Sequence, residues 1–209
     1  MTTAAVPAPG FADPTRDAQR AFRAILDALA HPARPYPVYG PAEPPDALGR
    51  GLAAVALTLL DEDCPVWLGG ALGRDAETAA WLAFHTGAGR VGDPAAASFV
   101  ITGPDALPPL ASLALGTDEA PHRSATVVLD VRARAVPGPG PARFTARGPG
   151  IDGTATLDAP WAADGFSAEW HRNTGMFPRG VDLLLVDDET VAALPRTTRL
   201  TAADQELED

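Results

Sequence analysis

The stretch Val181-Asp182-Leu183-Leu184-Leu185-Val186 (VDLLLV) decides the fold. It is a short, nearly continuous apolar run, the pattern of a strand whose two faces are both buried. Thr126-Val127-Val128-Leu129-Asp130-Val131 (TVVLDV) reads the same way, with a strand over 127–131. Strands with two apolar faces need a layer on each side, and helices are the expected cover. FVIT (Phe99–Thr102) and CPVWL (64–68) supply further short strands.

Helical signals alternate with these strands. Asp13 is an N-cap followed by Pro14 at the first helical position. Phe22, Ile25, Leu26 and Leu29 then share one face, and His31-Pro32 stops the helix. Asp46 opens a second helix with the face Leu52, Val55, Ala56, Leu59 and Leu60. A third runs from about Asp75 to Phe84 and ends at Gly87. ARPYPVYGPAEPP is a proline-rich connector or edge strand. The segment 103–115 reads as a turn with one short helix. Two Gly-Pro-Gly turns flank RFTAR, read as an edge strand with antiparallel pairing. WAADGFSAEWHRNTG reads as helical, although Gly165 weakens it, and ETVAAL as a last helical turn. The expected architecture is a three-layer α/β domain with a mixed central sheet. Residues 1–10 are expected to be a disordered tail, 11–200 one domain, and 201–209 an acidic tail.

Composition narrows the function. The chain has 209 residues, 46% hydrophobic and 21% charged, as in an ordinary soluble domain. Its formal net charge of −11 argues against a nucleic-acid partner. The N-terminus lacks the basic and apolar regions of a signal peptide, and no run is long enough to span a membrane. With a single cysteine, Cys64, no internal disulfide or cysteine-built metal cluster can form. These features lead to the expectation of a cytoplasmic protein. All 16 basic residues are arginine. Without lysine, neither a Schiff base with pyridoxal phosphate nor a Walker-type phosphate loop can exist.

Several segments invite a chemical reading. Cys64 follows Asp61, Glu62 and Asp63, which oppose a thiolate, so it is read as inert. His31, His85, His122 and His171 show no metal-ligand spacing. Ser124 lacks the Gly-x-Ser-x-Gly elbow of a hydrolase nucleophile. Asp118-Glu119 is read as a solvated pair in a loop. WLGGALGR resembles a phosphate-binding turn, but Asp75 competes for its donors. No catalytic residue, cofactor or metal is assigned.

The arginines stand out. Arg123 and Arg179 each precede an apolar strand, in HRSATVVLDV and FPRGVDLLLV; Arg196 and Arg199 form a second pair in ALPRTTR. If the strands are parallel, Arg123 and Arg179 share the amino edge of the sheet, opposite the usual ligand edge. Arg123, Ser124, Arg179, Arg196 and Arg199 are therefore read as anion or partner contacts, with internal salt bridges as the plainer alternative.

Taken together, GFADPTRDAQRAFRAILDAL, WLAFHTGA, GTDEAPHRSATVVL, FPRGVDLLLV and ALPRTTR resemble the PhnH family over about residues 10–200. That family supplies the H subunit of the bacterial carbon–phosphorus lyase core complex. The resemblance implies a subunit that acts with partner subunits and ATP in forming ribose 1-phosphonate 5-triphosphate during phosphonate catabolism. It also implies a homodimer in isolation, docking to other subunits of the core complex, and a pyridoxal-phosphate-transferase-like fold without its cofactor site. The family supplies no catalytic residue to carry over, and Ala120-Pro121-His122 departs from its pattern. The accessory-subunit reading is set against a second one, a standalone small-anion enzyme with an arginine pocket.

Overall fold

The computed structural model describes residues 7–132 and 143–202. A six-stranded sheet forms the centre. Its strands are β1 (Tyr36–Pro37), β2 (Val66–Leu68), β3 (Phe99–Thr102), β4 (Thr126–Asp130), β7 (Asp182–Val186) and β8 (Thr190–Leu194). Their spatial order is β1-β8-β7-β4-β3-β2. β2, β3, β4 and β7 are mutually parallel, whereas β8 and β1 pair antiparallel, so the sheet is mixed.

VDLLLV behaves as its composition requires. Leu184 and Val186 join one core while Leu183 and Leu185 join the other. Side chains alternate across a strand, so these two cores lie on opposite faces of the sheet. The first core is helical: α1 (Pro14–Ala30), α2 (Gly49–Leu59), α3 (Gly70–Arg74) and α4 (Ala76–Thr86) contribute to it. The second core is covered differently from the all-helical layer expected. It holds α5 (Phe166–Gly175) together with a three-stranded antiparallel sheet, β6 (Ala155–Asp158), β5 (Arg143–Arg147) and β9 (Arg199–Ala202), in the order β6-β5-β9. RFTAR is thus the middle strand of a separate sheet rather than an edge, because β9 arrives from more than fifty residues away to cover its free side. Of the two Gly-Pro-Gly turns, Gly148-Pro149-Gly150 follows β5, and the other lies outside the described residues.

Local departures have local causes. α1 buries Ala21, Ala24, Ile25 and Ala28, while Phe22 and Leu26 stay 46% and 47% exposed. Small residues let α1 lie close to α2, whose Ala53 and Ala54 are fully buried, so the contact face is rotated toward alanine. α2 begins at Gly49 instead of Asp46 and has no side-chain cap. The segment 103–115 holds two short 3₁₀ turns instead of one helix. Gly165, in the left-handed region at φ 85°, starts α5 only at Phe166 and leaves Trp161 to pack edge-on against Phe166. ETVAAL is not helical. Asp187 accepts from the Glu189 and Thr190 N–H groups and from the Thr190 hydroxyl, closing a tight turn. The chain then returns as β8, pairing Leu194 with Leu183.

The capping predicted at Asp13 and Asp75 is present: Asp13 accepts from Arg16 N–H and Asp75 from Thr78 N–H. Residues 7–10 are held on the body, because the Ala8 carbonyl accepts from Trp81 Nε1 at 2.9 Å and His85 Nε2 at 2.8 Å. The remainder of the expected N-terminal tail, residues 1–6, and most of the acidic C-terminal tail, 203–209, lie outside the described residues. Among the described residues, no helix is long and apolar enough to cross a membrane.

Candidate docking site at the amino edge of the sheet

β4 and β7 run parallel in the register Thr126↔Asp182. The residues just before them, Arg123 and Arg179, therefore stand on the same amino edge. Two loops meet there. One is 116–124, whose first half is closed by Ala120 N–H donating to Thr117 Oγ1 and Thr117 N–H to the Ala120 carbonyl. The other is 176–180. Gly180 N–H donates to the Leu115 carbonyl at 2.9 Å, tying the second loop to the first. Asn173 on α5 fixes the same corner: its amide donates to the Val181 carbonyl, and its oxygen accepts from Val181 N–H, both at 2.9 Å. Gly180 approaches Asn173 closely at φ 112°, a position that suits only glycine.

Arg196 is the hub of this edge. Its Nε donates to Asp182 Oδ1 at 3.1 Å, and its Nη2 donates to Asp182 Oδ2 and, at 2.6 Å, to Ser124 Oγ. Its Nη1 donates to the Pro121 carbonyl at 3.1 Å and the Pro178 carbonyl at 3.2 Å. A guanidinium has five N–H donors, and here all five have acceptors. The Arg196 backbone N–H also donates to Asp182, at 2.7 Å. With 14% of its side chain exposed, Arg196 is a clamp across three segments and has no donor left for a ligand. Ser124 is likewise engaged as an acceptor within the chain.

The other sequence-derived candidates are placed differently. Arg179 is exposed and pairs with Asp118 at 3.2 Å. Arg123 is exposed, and no carboxylate pairs with it among the described residues. Arg199 is on β9, opposite Arg147 in the small sheet, and shares none of the partners of Arg196. Arg196 and Arg199 thus stand in different surroundings, one bound internally at the amino edge and the other on the small sheet.

What faces solvent from the two clamped loops is Thr117, Asp118, Glu119, His122, Arg123, Phe177 and Arg179. Phe177 is 64% exposed. An aromatic ring beside two arginines and two acids on a rigid base is the composition of a recognition surface. Asn173, which sequence reasoning did not single out, supports this surface from below. Its signal was an amide in the last turn of an otherwise amphipathic helix, eight residues before the Val181 backbone that it clips.

Elsewhere the chemistry is quiet. The amino end of α3, in the glycine-rich segment, faces the Asp105 carboxylate, which opposes an anion there. Burial first, and then the Asp61 and Asp63 carboxylates, push the Cys64 thiol above its ordinary pKa, which keeps it a poor nucleophile at neutral pH. Among the described residues, no group of three His, Cys, Asp or Glu is placed to hold a metal ion.

The fold is a mixed α/β domain whose amino edge carries two loops tied together by hydrogen bonds. The chain belongs to the PhnH family: the family model described as bacterial phosphonate metabolism protein (PhnH) matches residues 9–201. It is similar to the alpha-D-ribose 1-methylphosphonate 5-triphosphate synthase subunit PhnH of Rhizobium meliloti (strain 1021), at 42% identity over 192 residues, 91% of this chain and 93% of that protein. It is also similar to the putative C-P lyase subunit protein HtxG of Stutzerimonas stutzeri, at 32% identity over 185 residues, 87% of this chain and 85% of that protein.

Proposed function

We infer that this chain is a subunit of the carbon–phosphorus lyase system, acting with partner subunits in forming a ribose 1-phosphonate 5-triphosphate during phosphonate catabolism. The observation that carries this reading is the family match over nearly the whole chain, from residue 9 to 201, joined by two named relatives that are both subunits. The subunit contributes recognition, and its docking surface is the amino edge bearing Phe177, Arg179, Asp118 and Arg123. Support comes from the clamp beneath them: Arg196 holds both loops, so the exposed groups are preorganised and lose little freedom on binding. Cytoplasmic location and homodimerisation of the isolated subunit belong to the same reading, as does a pyridoxal-phosphate-transferase-like ancestry without the cofactor site. Location rests on the sequence features that led to that expectation, homodimerisation and ancestry on the family resemblance, and the last also on the absence of lysine.

The test is assembly. The chain is co-expressed with its partner subunits, and complex formation is compared for wild type and Arg179→Ala. The Arg179–Asp118 pair is exposed, so its removal costs the fold only about 0–1 kcal/mol. Docking through a desolvated arginine predicts an affinity loss of about 2–5 kcal/mol. Unchanged assembly by a folded Arg179→Ala protein overturns the docking surface. Ribose-phosphonate product from the lone chain with ATP and methylphosphonate overturns the accessory role.

A further inference from the structure

The opposite edge of the sheet carries an arginine of a different kind. Parallel α/β sheets bind small ligands outside the carboxyl ends of their strands. There, the start of α2 is fitted against the β7–β8 turn by two glycines flanking Arg50. Gly49 is left-handed at φ 67° and lies against the Arg132 guanidinium, and a Cβ on Gly51 would sit 1.7 Å from the Asp187 carbonyl oxygen. Arg50 N–H donates to Asp188 Oδ1 at 3.0 Å. Its guanidinium, however, is exposed and has no hydrogen bond or ion pair among the described residues. In a chain of net charge −11, with carboxylates close by, an unpaired arginine held this tightly at its backbone calls for an external partner.

Arg50 lines a cleft of about 480 Å³ together with Arg132, Glu43, Asp46 and Asp188. That volume is in the range of small-molecule sites. Arg132 is largely committed: its Nε and Nη2 donate to Asp130, and Nη2 also donates to the Ala47 carbonyl. Asp130 raises the Arg132 pKa by that bonding. Its Nη1 reaches Asp188 only at 3.5 Å, so donor capacity remains. The charged lining is thus two guanidinium groups and three carboxylates. A polyphosphate meets too much negative charge here, and a simple cation meets Arg50. A molecule carrying both signs fits both walls.

We propose that this cleft binds a small zwitterion, an oxyanion and an ammonium a few bonds apart, with the oxyanion on Arg50 and the ammonium on the Glu43, Asp46 and Asp188 side. The guanidinium fork suits a phosphonate or carboxylate head. The cleft is at the carboxyl edge and the docking surface at the amino edge, so the two proposals stand or fall separately.

The lone purified chain is titrated by calorimetry with 2-aminoethylphosphonate, β-alanine, ethylphosphonate and ethanolamine. Binding of an amino-bearing acid at least tenfold tighter than both ethylphosphonate and ethanolamine supports the proposal. The comparison of 2-aminoethylphosphonate with β-alanine decides whether the head is phosphonate or carboxylate. Arg50→Ala should abolish the signal and keep the melting temperature, because the Arg50 side chain has no partner among the described residues. Arg143→Ala, at an exposed arginine of the small sheet, should leave binding unchanged. Ethylphosphonate binding as tightly as 2-aminoethylphosphonate, no binding of any zwitterion at millimolar concentration, or retained binding in a folded Arg50→Ala protein each overturns it.

Discussion

Replacing Arg196 with methionine tests whether the amino edge is a clamp. The substitution keeps most of the aliphatic length but removes all five donors. Asp182, 24% exposed, then keeps only the Arg196 backbone N–H, and the Pro121 and Pro178 carbonyls and Ser124 lose their shared donor. Breaking a buried pair by removing one partner costs about 3–5 kcal/mol. The partial exposure of both side chains places this one at the low end, about 3 kcal/mol. For a domain of this size each kcal/mol corresponds to about 2–4 °C in Tm, so Tm should fall by about 6–12 °C. Urea denaturation followed by circular dichroism measures the same quantity as a shift in midpoint. The cost is that of a stranded carboxylate. Arg196→Met combined with Asp182→Leu should therefore recover more than half of the loss instead of adding to it. The pair Arg143–Asp158 is a control: it is short, 2.8 Å, but 62% and 70% exposed, so Arg143→Ala should cost under about 1 kcal/mol. A loss below about 1 kcal/mol for Arg196→Met, or additive loss in the double variant, would refute the clamp.

Two further predictions concern the helices. Gly51→Ala puts a Cβ into the Asp187 carbonyl oxygen and must push α2 off the β7–β8 turn, costing about 3 kcal/mol or more; Gly89→Ala, with open space around its Cβ, should change Tm little, and equal effects at the two sites would contradict the close approach. Asp75→Ala removes the α4 cap and should cost about 1 kcal/mol in denaturant melts. Hydrogen bonding by Thr78 holds the Asp75 carboxyl below its ordinary value. Its charge-linked stabilisation is therefore complete above about pH 4 and is lost as pH falls through the lowered folded value. A gap between wild type and Asp75→Ala that stays constant through that acid range would remove this assignment.

The strands and most helices were legible because their signals are local. Apolar runs with two hydrophobic faces, Asp-Pro at a helix start and Gly87 at a helix end act over a few residues, and the chain obeyed them. So did the placement of Arg123 and Arg179 on one edge, since it required only that two apolar strands be parallel. The misreadings share a cause. β8 looked helical because TVAAL has no strong period, and only the Asp187 turn and a pairing with β7 make it a strand. RFTAR looked like an edge until β9 covered it, and α1 turned its alanines inward because α2 offers alanines to meet.

The functional residues divide along the same line. Sequence alone established the family, the absence of lysine chemistry and the interest of the arginines, all properties of residue identity and order. Tertiary structure decided what each arginine does. Arg196 is saturated by groups 75, 72, 18 and 14 residues away, whereas Arg179 and Arg123 remain on the surface and Arg50 lines a cleft with no ion-pair partner among the described residues. Whether a guanidinium serves the fold or a partner depends on where acceptors fall in space, and chain neighbours carry no record of contacts made across the sheet.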